Sequence, residues 1–146
     1  MFNKIVVGTD GSTHGDKAVR AAIEIASGNP EAELNVVMAY HPMSARELSE
    51  TKQMLPEDFR AILHAHYPAE ETLVRAKKRA ETAGISVTVH EIDDDPTEAL
   101  IKIAEKTGAD LIIVGSRRES LAGRMMHGSV STKVLHHAPC SLLVVT

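Results

Sequence analysis

Tryptophan is absent from this 146-residue sequence, aromatic residues make up 3% of it, and its single cysteine is Cys140. So few rings leave little on which single-stranded nucleic acid could stack. One cysteine cannot close an internal disulfide, which fits a reducing compartment. Charge of one sign is not concentrated either: 16 Lys and Arg stand against 20 Asp and Glu, for a formal net charge of −4. That balance is the reverse of the basic footprint of a nucleic-acid binder. No apolar run approaches the roughly 20 residues that span a bilayer. The opening MFNKIVVGTDGS has too short an apolar core for a secretory leader. A soluble cytoplasmic protein with neither nucleic-acid nor membrane partners is expected.

What is present is the composition of a globular domain, with 43% hydrophobic and 25% charged residues, nine Gly and six Pro. A chain of this length buries about 68–70% of its unfolded surface, so one domain over residues 1–146 is expected.

Local patterning alternates strands and helices. Residues 4–9 (KIVVGT) form a short β-branched run that leads into the turn and cap types Asp10, Gly11, Ser12 and Thr13. Ala18, Val19, Ala22, Ile23 and Ala26 then recur at helical spacing up to Gly28. Residues 34–40 (LNVVMAY) are apolar almost throughout, as in a strand covered on both faces. Residues 41–66 carry Pro42, Pro56 and scattered polar residues, and a partly helical insertion is expected there.

A helix begins at Pro68, with Leu73, Val74, Ala76, Ala80 and Ala83 on or near one stripe and Gly84 as its stop. Residues 85–92 (ISVTVHEI) alternate, which suggests an edge strand with one less-buried face. Pro96 and Thr97 open a helix that Gly108 ends. Residues 111–114 (LIIV) are the most apolar strand and are expected to be central. Val130, Val134, Leu135 and Ala138 are spaced as a last helix, and residues 141–145 (SLLVV) as a last strand. The order predicts a single-domain α/β fold of Rossmann-like type, an open five-stranded parallel sheet with helices on both faces. Ligands of such sheets sit beyond the strands' carboxyl ends, where strand order reverses.

The stretch GSRRESLAGRMMHGSVS at residues 115–131 follows the LIIV strand. It is not a Walker loop, because Ser129 stands where that motif needs Lys. Nor do Gly8, Gly11 and Gly15 match the dinucleotide pattern G-x-G-x-x-G. Gly128 and Ser129 open a helix, whose free N–H groups and positive end would hold a phosphate together with Val130 and Ser131. The plainer reading of Gly128-Ser129 is a helix cap.

The same stretch resembles the signature G-x-x-G-x(9)-G-[ST] of the universal stress protein family, with Gly115, Gly128 and Ser129 on its first, third and fourth elements. KIVVGTDGS resembles the family's opening strand, ADLIIVGS the strand before the signature, and HHAPCSLLVV its closing helix end and strand. The resemblance spans the whole chain. It implies strand order 3-2-1-4-5, a homodimer paired through the last strand, and binding of ATP, AMP or a related adenine nucleotide, with Mg2+ an option alongside ATP. Carried over by position, Thr9 and Asp10 would face the nucleoside and Ala39 would offer main-chain contacts to the base. Gly115 and Arg117 would border the loop, and Gly128, Ser129, Val130 and Ser131 would hold phosphates.

One element departs, since Arg118 occupies the second glycine of the signature. Its guanidinium, with Arg117 and Arg124 nearby, would clamp phosphate. Alternatively, its Cβ would distort the turn and abolish binding. A nucleotide-free protein acting through protein–protein contacts is therefore the rival reading. The family's usual Gly before the third-strand loop Pro is also replaced, by Asp94, within an acidic Asp93-Asp94-Asp95 turn read as solvated rather than metal-binding.

His136-His137-x-x-Cys140 and His64-x-His66 lack the further ligands of a zinc site. His127 precedes the capped helix and is read as touching an anion or facing solvent, and Cys140 is read as packing. No nucleophile is paired with a base, so no catalytic residues are assigned and a dedicated enzyme is not expected. Slow ATP hydrolysis through Asp10-held metal and water is the lesser reading.

Overall fold

A computed structural model describes residues 1–40, 53, 67–116 and 130–146. The expected insertion at 41–66 and the greater part of the Gly115–Ser131 loop lie outside the described residues.

Five parallel strands form one sheet in the order β3-β2-β1-β4-β5, as the family resemblance implies. They are β1 (Lys4–Gly8), β2 (Glu33–Tyr40), β3 (Ser86–Asp93), β4 (Leu111–Gly115) and β5 (Ser141–Val145). Each is joined in sequence through a helix-bearing crossover, which is what parallel neighbours require. Four helices are described: α1 (Thr13–Ser27), α2 (Tyr67–Thr82), α3 (Pro96–Thr107) and α4 (Val130–His137).

Local chemistry sets the helix ends. The Ser12 hydroxyl accepts from the Gly15 N–H and starts α1. The Asp95 carboxylate accepts from the N–H groups of Thr97 and Glu98, and Pro96 follows in the first turn of α3. Gly108 then ends α3 in the left-handed region, at φ 66°, with its N–H returned to Ala104 and Glu105. Asp94, next to the cap, is ion-paired with Lys102, so two members of the acidic turn hold α3 in place.

Two apolar layers cover the sheet. Ile5 and Val7 of β1, with Leu34, Val36, Leu111 and Ile113, pack under α1 and α2. Val6, Val37, Ile112 and Val114 point the other way, onto Leu100 and Ile103 of α3 and Val134 of α4. The period-2 alternation of a strand thus feeds both cores from one continuous apolar run.

Three expectations need correction. β4 is an interior strand but not the middle one, which is β1; burial on both faces makes a strand apolar wherever helices cover it, not only at the centre. Val74 is 59% exposed, because Leu73, Ala76 and Ala80 make the buried stripe of α2 and residue 74 lies about 100° round from Leu73. Leu135 is 66% exposed for the same reason beside buried Val134. β3 is an edge strand, as its alternation suggested.

Beneath that edge His90 meets Asn35 of β2, with Nε2 at 2.9 Å from Oδ1. Burial pushes the His90 pKa below its ordinary 6.5, and the Lys106 charge adds to this. The unfolded chain therefore binds the proton more readily than the folded one, so stability falls as pH drops through about 6.5. Urea midpoints at about pH 7.5 and 5.5 are expected to show this loss in the native chain and a smaller one in His90→Gln.

Candidate functional site

β1 and β4 are neighbours, yet the helices that follow them leave on opposite faces of the sheet, α1 over one core and α4 over the other. Their carboxyl ends therefore open into a crevice at the point where strand order reverses.

The β1 side is built by a chain of short hydrogen bonds. Thr9 continues the ladder, its N–H donating to Val37 O at 3.0 Å, and is 8% exposed. Its Oγ1 accepts from the Gly11 N–H at 3.2 Å. Asp10 Oδ1 accepts from the Ser12 N–H at 2.9 Å and from the Ser12 hydroxyl. Asp10 is an exposed residue, so this bonding orients a carboxylate at the crevice rather than burying one. Gly11 turns the chain with φ +79°, a value that L side chains rarely adopt.

The crevice floor is close backbone packing. A Cβ on Gly15 would lie 2.6 Å from Thr9 Oγ1 and 2.9 Å from Asp10 Oδ1. A Cβ on Gly115 would lie 2.5 Å from the carbonyl oxygen of His14. The first turn of α1 thus rests against the ends of β1 and β4 together. Beyond Gly115, the Ser116 N–H returns to Val145 O at 2.8 Å, which ties β5 to the same corner.

Ala39 lies two residues beyond Val37, the partner of Gly8, so the β2 main chain runs past the end of β1. Its side chain and that of Val130 pack on the same core cluster, the one under α3 and α4. Val130 and Ser131 are the first residues of α4, and Ser131 is held by a further contact. Of the residues singled out from sequence, Thr9, Asp10, Ala39 and Gly115 therefore gather at the ends of three adjacent strands, with Val130 and Ser131 at the start of the helix after β4. Arg117, Arg118, Gly128 and Ser129 lie outside the described residues, as do Arg124, His64, His66 and His127.

Sequence reasoning missed His14 and Gly15. The available signal was a glycine just inside the start of a helix, a residue type that lets another group approach the backbone closely.

Among the described residues, no group of three His, Cys, Asp or Glu side chains is placed to hold a metal ion. Cys140 is half-buried, and burial, with the Asp110 charge behind it, pushes its thiol above the ordinary range. It is thus a poor nucleophile.

The arrangement defines a class, the doubly wound α/β protein whose strand order reverses between β1 and β4. The profile of the Universal stress protein family matches residues 1–146, and the chain belongs to that family. It is 32% identical to the universal stress protein YxiE of Bacillus subtilis, over 99% of each chain. It is 34% identical to the universal stress protein Rv1636 of Mycobacterium tuberculosis, over 99% of this chain and 96% of that one. Among solved structures, a universal stress protein in complex with cAMP is 28% identical, with TM-score 0.72 over 99% of this chain and 97% of the other.

Gly115→Ala is expected to destabilise the fold by about 1–3 kcal/mol, since the added methyl meets main chain that cannot step aside. Urea denaturation of the two proteins measures the difference.

Proposed function

We propose that this chain binds an adenine nucleotide in the β1/β4 crevice and works as a binding module responsive to stress or energy state, not as a dedicated enzyme. The observation that carries the reading is the meeting of the β1, β2 and β4 ends, where Ser12 orients Asp10 and Gly115 has no side chain, with Val130 of α4 packed on the same core cluster as Ala39. A ribose offers hydroxyl donors to a carboxylate such as Asp10, and a helix start offers N–H groups to phosphate. The relative in complex with cAMP, similar over nearly its whole length, supports an adenine nucleotide as the ligand. Arg118 acts in this reading as a phosphate clamp, bringing to the loop a planar charged fork in place of a glycine's bare main chain. Mg2+ would accompany the ligand only if it is ATP.

Calorimetry with ATP, AMP and cAMP tests the reading. Saturable binding is expected for at least one of them, weakened about tenfold by Asp10→Ala through loss of charge-assisted hydrogen bonds. Arg118→Gly is expected to weaken it as well. Tighter binding by Arg118→Gly would show that the arginine obstructs, and no heat with any of the three would overturn the reading.

The rival reading, a dimer acting through protein contacts without nucleotide, rests on β5. This strand pairs with β4 on one side, lies at the edge of the sheet, and leaves Val144 40% exposed. An apolar edge strand of this kind invites pairing with a second copy, and we propose a homodimer through it in either reading. Light scattering is expected to give twice the 15.8 kDa chain mass, and a monomer at micromolar concentration would refute it.

A further inference from the structure

On the face that carries α1 and α2, beside the β1–α1 turn, a cavity of about 280 Å3 lies between the two helices. Three arginines line it: Arg20 from α1, and Arg75 and Arg79 from α2. The four-residue spacing of the last two puts them on one face of their helix. The hydroxyl-bearing residues Thr13 and Thr72 also line the cavity, and among the described residues its one acidic lining residue is Asp16.

Asp16 is already engaged. Arg79 Nη1 donates to its Oδ1 at 2.7 Å and Arg20 Nε donates to its Oδ2 at 2.9 Å. Burial by itself would raise its pKa, but hydrogen bonding and charge from Arg79, then Arg20, outweigh burial and hold the carboxyl below its ordinary value of 3.8. It is therefore ionised at neutral pH and serves to anchor two guanidinium groups at the rim.

Arg75 has no ion-pair partner among the described residues. Three cations against one anion give the described lining a surplus of two positive charges. A guanidinium carries five N–H donors, and among the described residues the bonds to Asp16 use one from Arg20 and one from Arg79. Such a site calls for a ligand with two negative charges and many acceptor oxygens, which a phosphate has and a single carboxylate lacks. Size narrows the class further. Pockets for drug-sized ligands begin at about 300 Å3, so this one suits a phosphate with a few attached atoms rather than a whole nucleotide.

The cavity is separate from the crevice. It shares Thr9, Gly11 and Ser12 of the β1–α1 turn with it, but Asp10, Ala39, Gly115 and Ser131 do not line it. Thr9 sits between the two, and Gly11 backs onto the α2 side, where a Cβ would lie 3.0 Å from Thr72 Oγ1.

We propose that the α1–α2 cavity is a second binding site, taking a phosphate dianion, free or carried on a compact organic group, through Arg20, Arg75 and Arg79. The site stands whether or not a nucleotide occupies the β1/β4 crevice.

Calorimetry at low ionic strength with inorganic phosphate and with glycerol 3-phosphate tests it on the full chain. Saturable binding is expected with at least one probe. Tighter binding of glycerol 3-phosphate marks a phosphoester site, and equal binding marks a site for free phosphate. Arg75→Gln, a change at an exposed residue, is expected to weaken the binding about tenfold while its urea midpoint stays that of the native chain. AMP titrated into the same variant is expected to behave as with the native chain, so failure at this site and failure at the crevice are read separately. Absence of saturable binding by either probe would overturn the proposal. So would unchanged affinity in Arg75→Gln, or full competition between phosphate and AMP.

Discussion

The first turn of α1 packs closely against the ends of two strands at once, and the corner at the β1/β4 switch point depends on that contact. Gly15 leaves room for the Thr9 hydroxyl and the Asp10 carboxylate, while Gly115 leaves room for the His14 carbonyl. Cβ atoms at these two positions would fall at distances that carbon and oxygen do not tolerate, and the helix would have to lift off β4. The crevice would then lose its floor, and Asp10 the local frame that orients it.

That contact is affordable because the sheet beneath is rigid. Ile5, Val6, Val7, Ile112 and Ile113 have no exposure, and their alternation feeds one layer under α1 and α2 and another under α3 and α4. α1 and α4 leave neighbouring strands on opposite faces, and among the described residues Thr9, Asp10 and Ser12 bring polar groups to the start of α1. Polar groups that would be costly in the layers below are tolerated there.

Much of this was legible in the sequence. The strands and helices follow from apolar spacing, and their ends from caps such as Ser12, Asp95 and Gly108, because these signals act within a few residues of chain. The resemblance of KIVVGTDGS and of the Gly115 signature implied the strand order, and with it the meeting of Asp10 and Gly115. Other features were not legible. The exposure of Val74 and Leu135 depends on which stripe of each helix meets the sheet. The roles of His14 and Gly15 depend on how closely α1 approaches β4. The Asp16–Arg79 ion pair joins residues 63 positions apart, and no local pattern announces it.

The sequence by itself determined the alternation of elements, the chemistry of their ends and the family, since propensity, capping and short motifs are properties of neighbouring residues. Only the tertiary structure decided which residues share a surface. It set Arg20, Arg75 and Arg79 around one cavity and brought the α1 turn onto Gly115. The physical reason is that long-range packing selects the faces on which helices lie, and burial of the two apolar layers makes that selection, not the local spacing of charges or glycines.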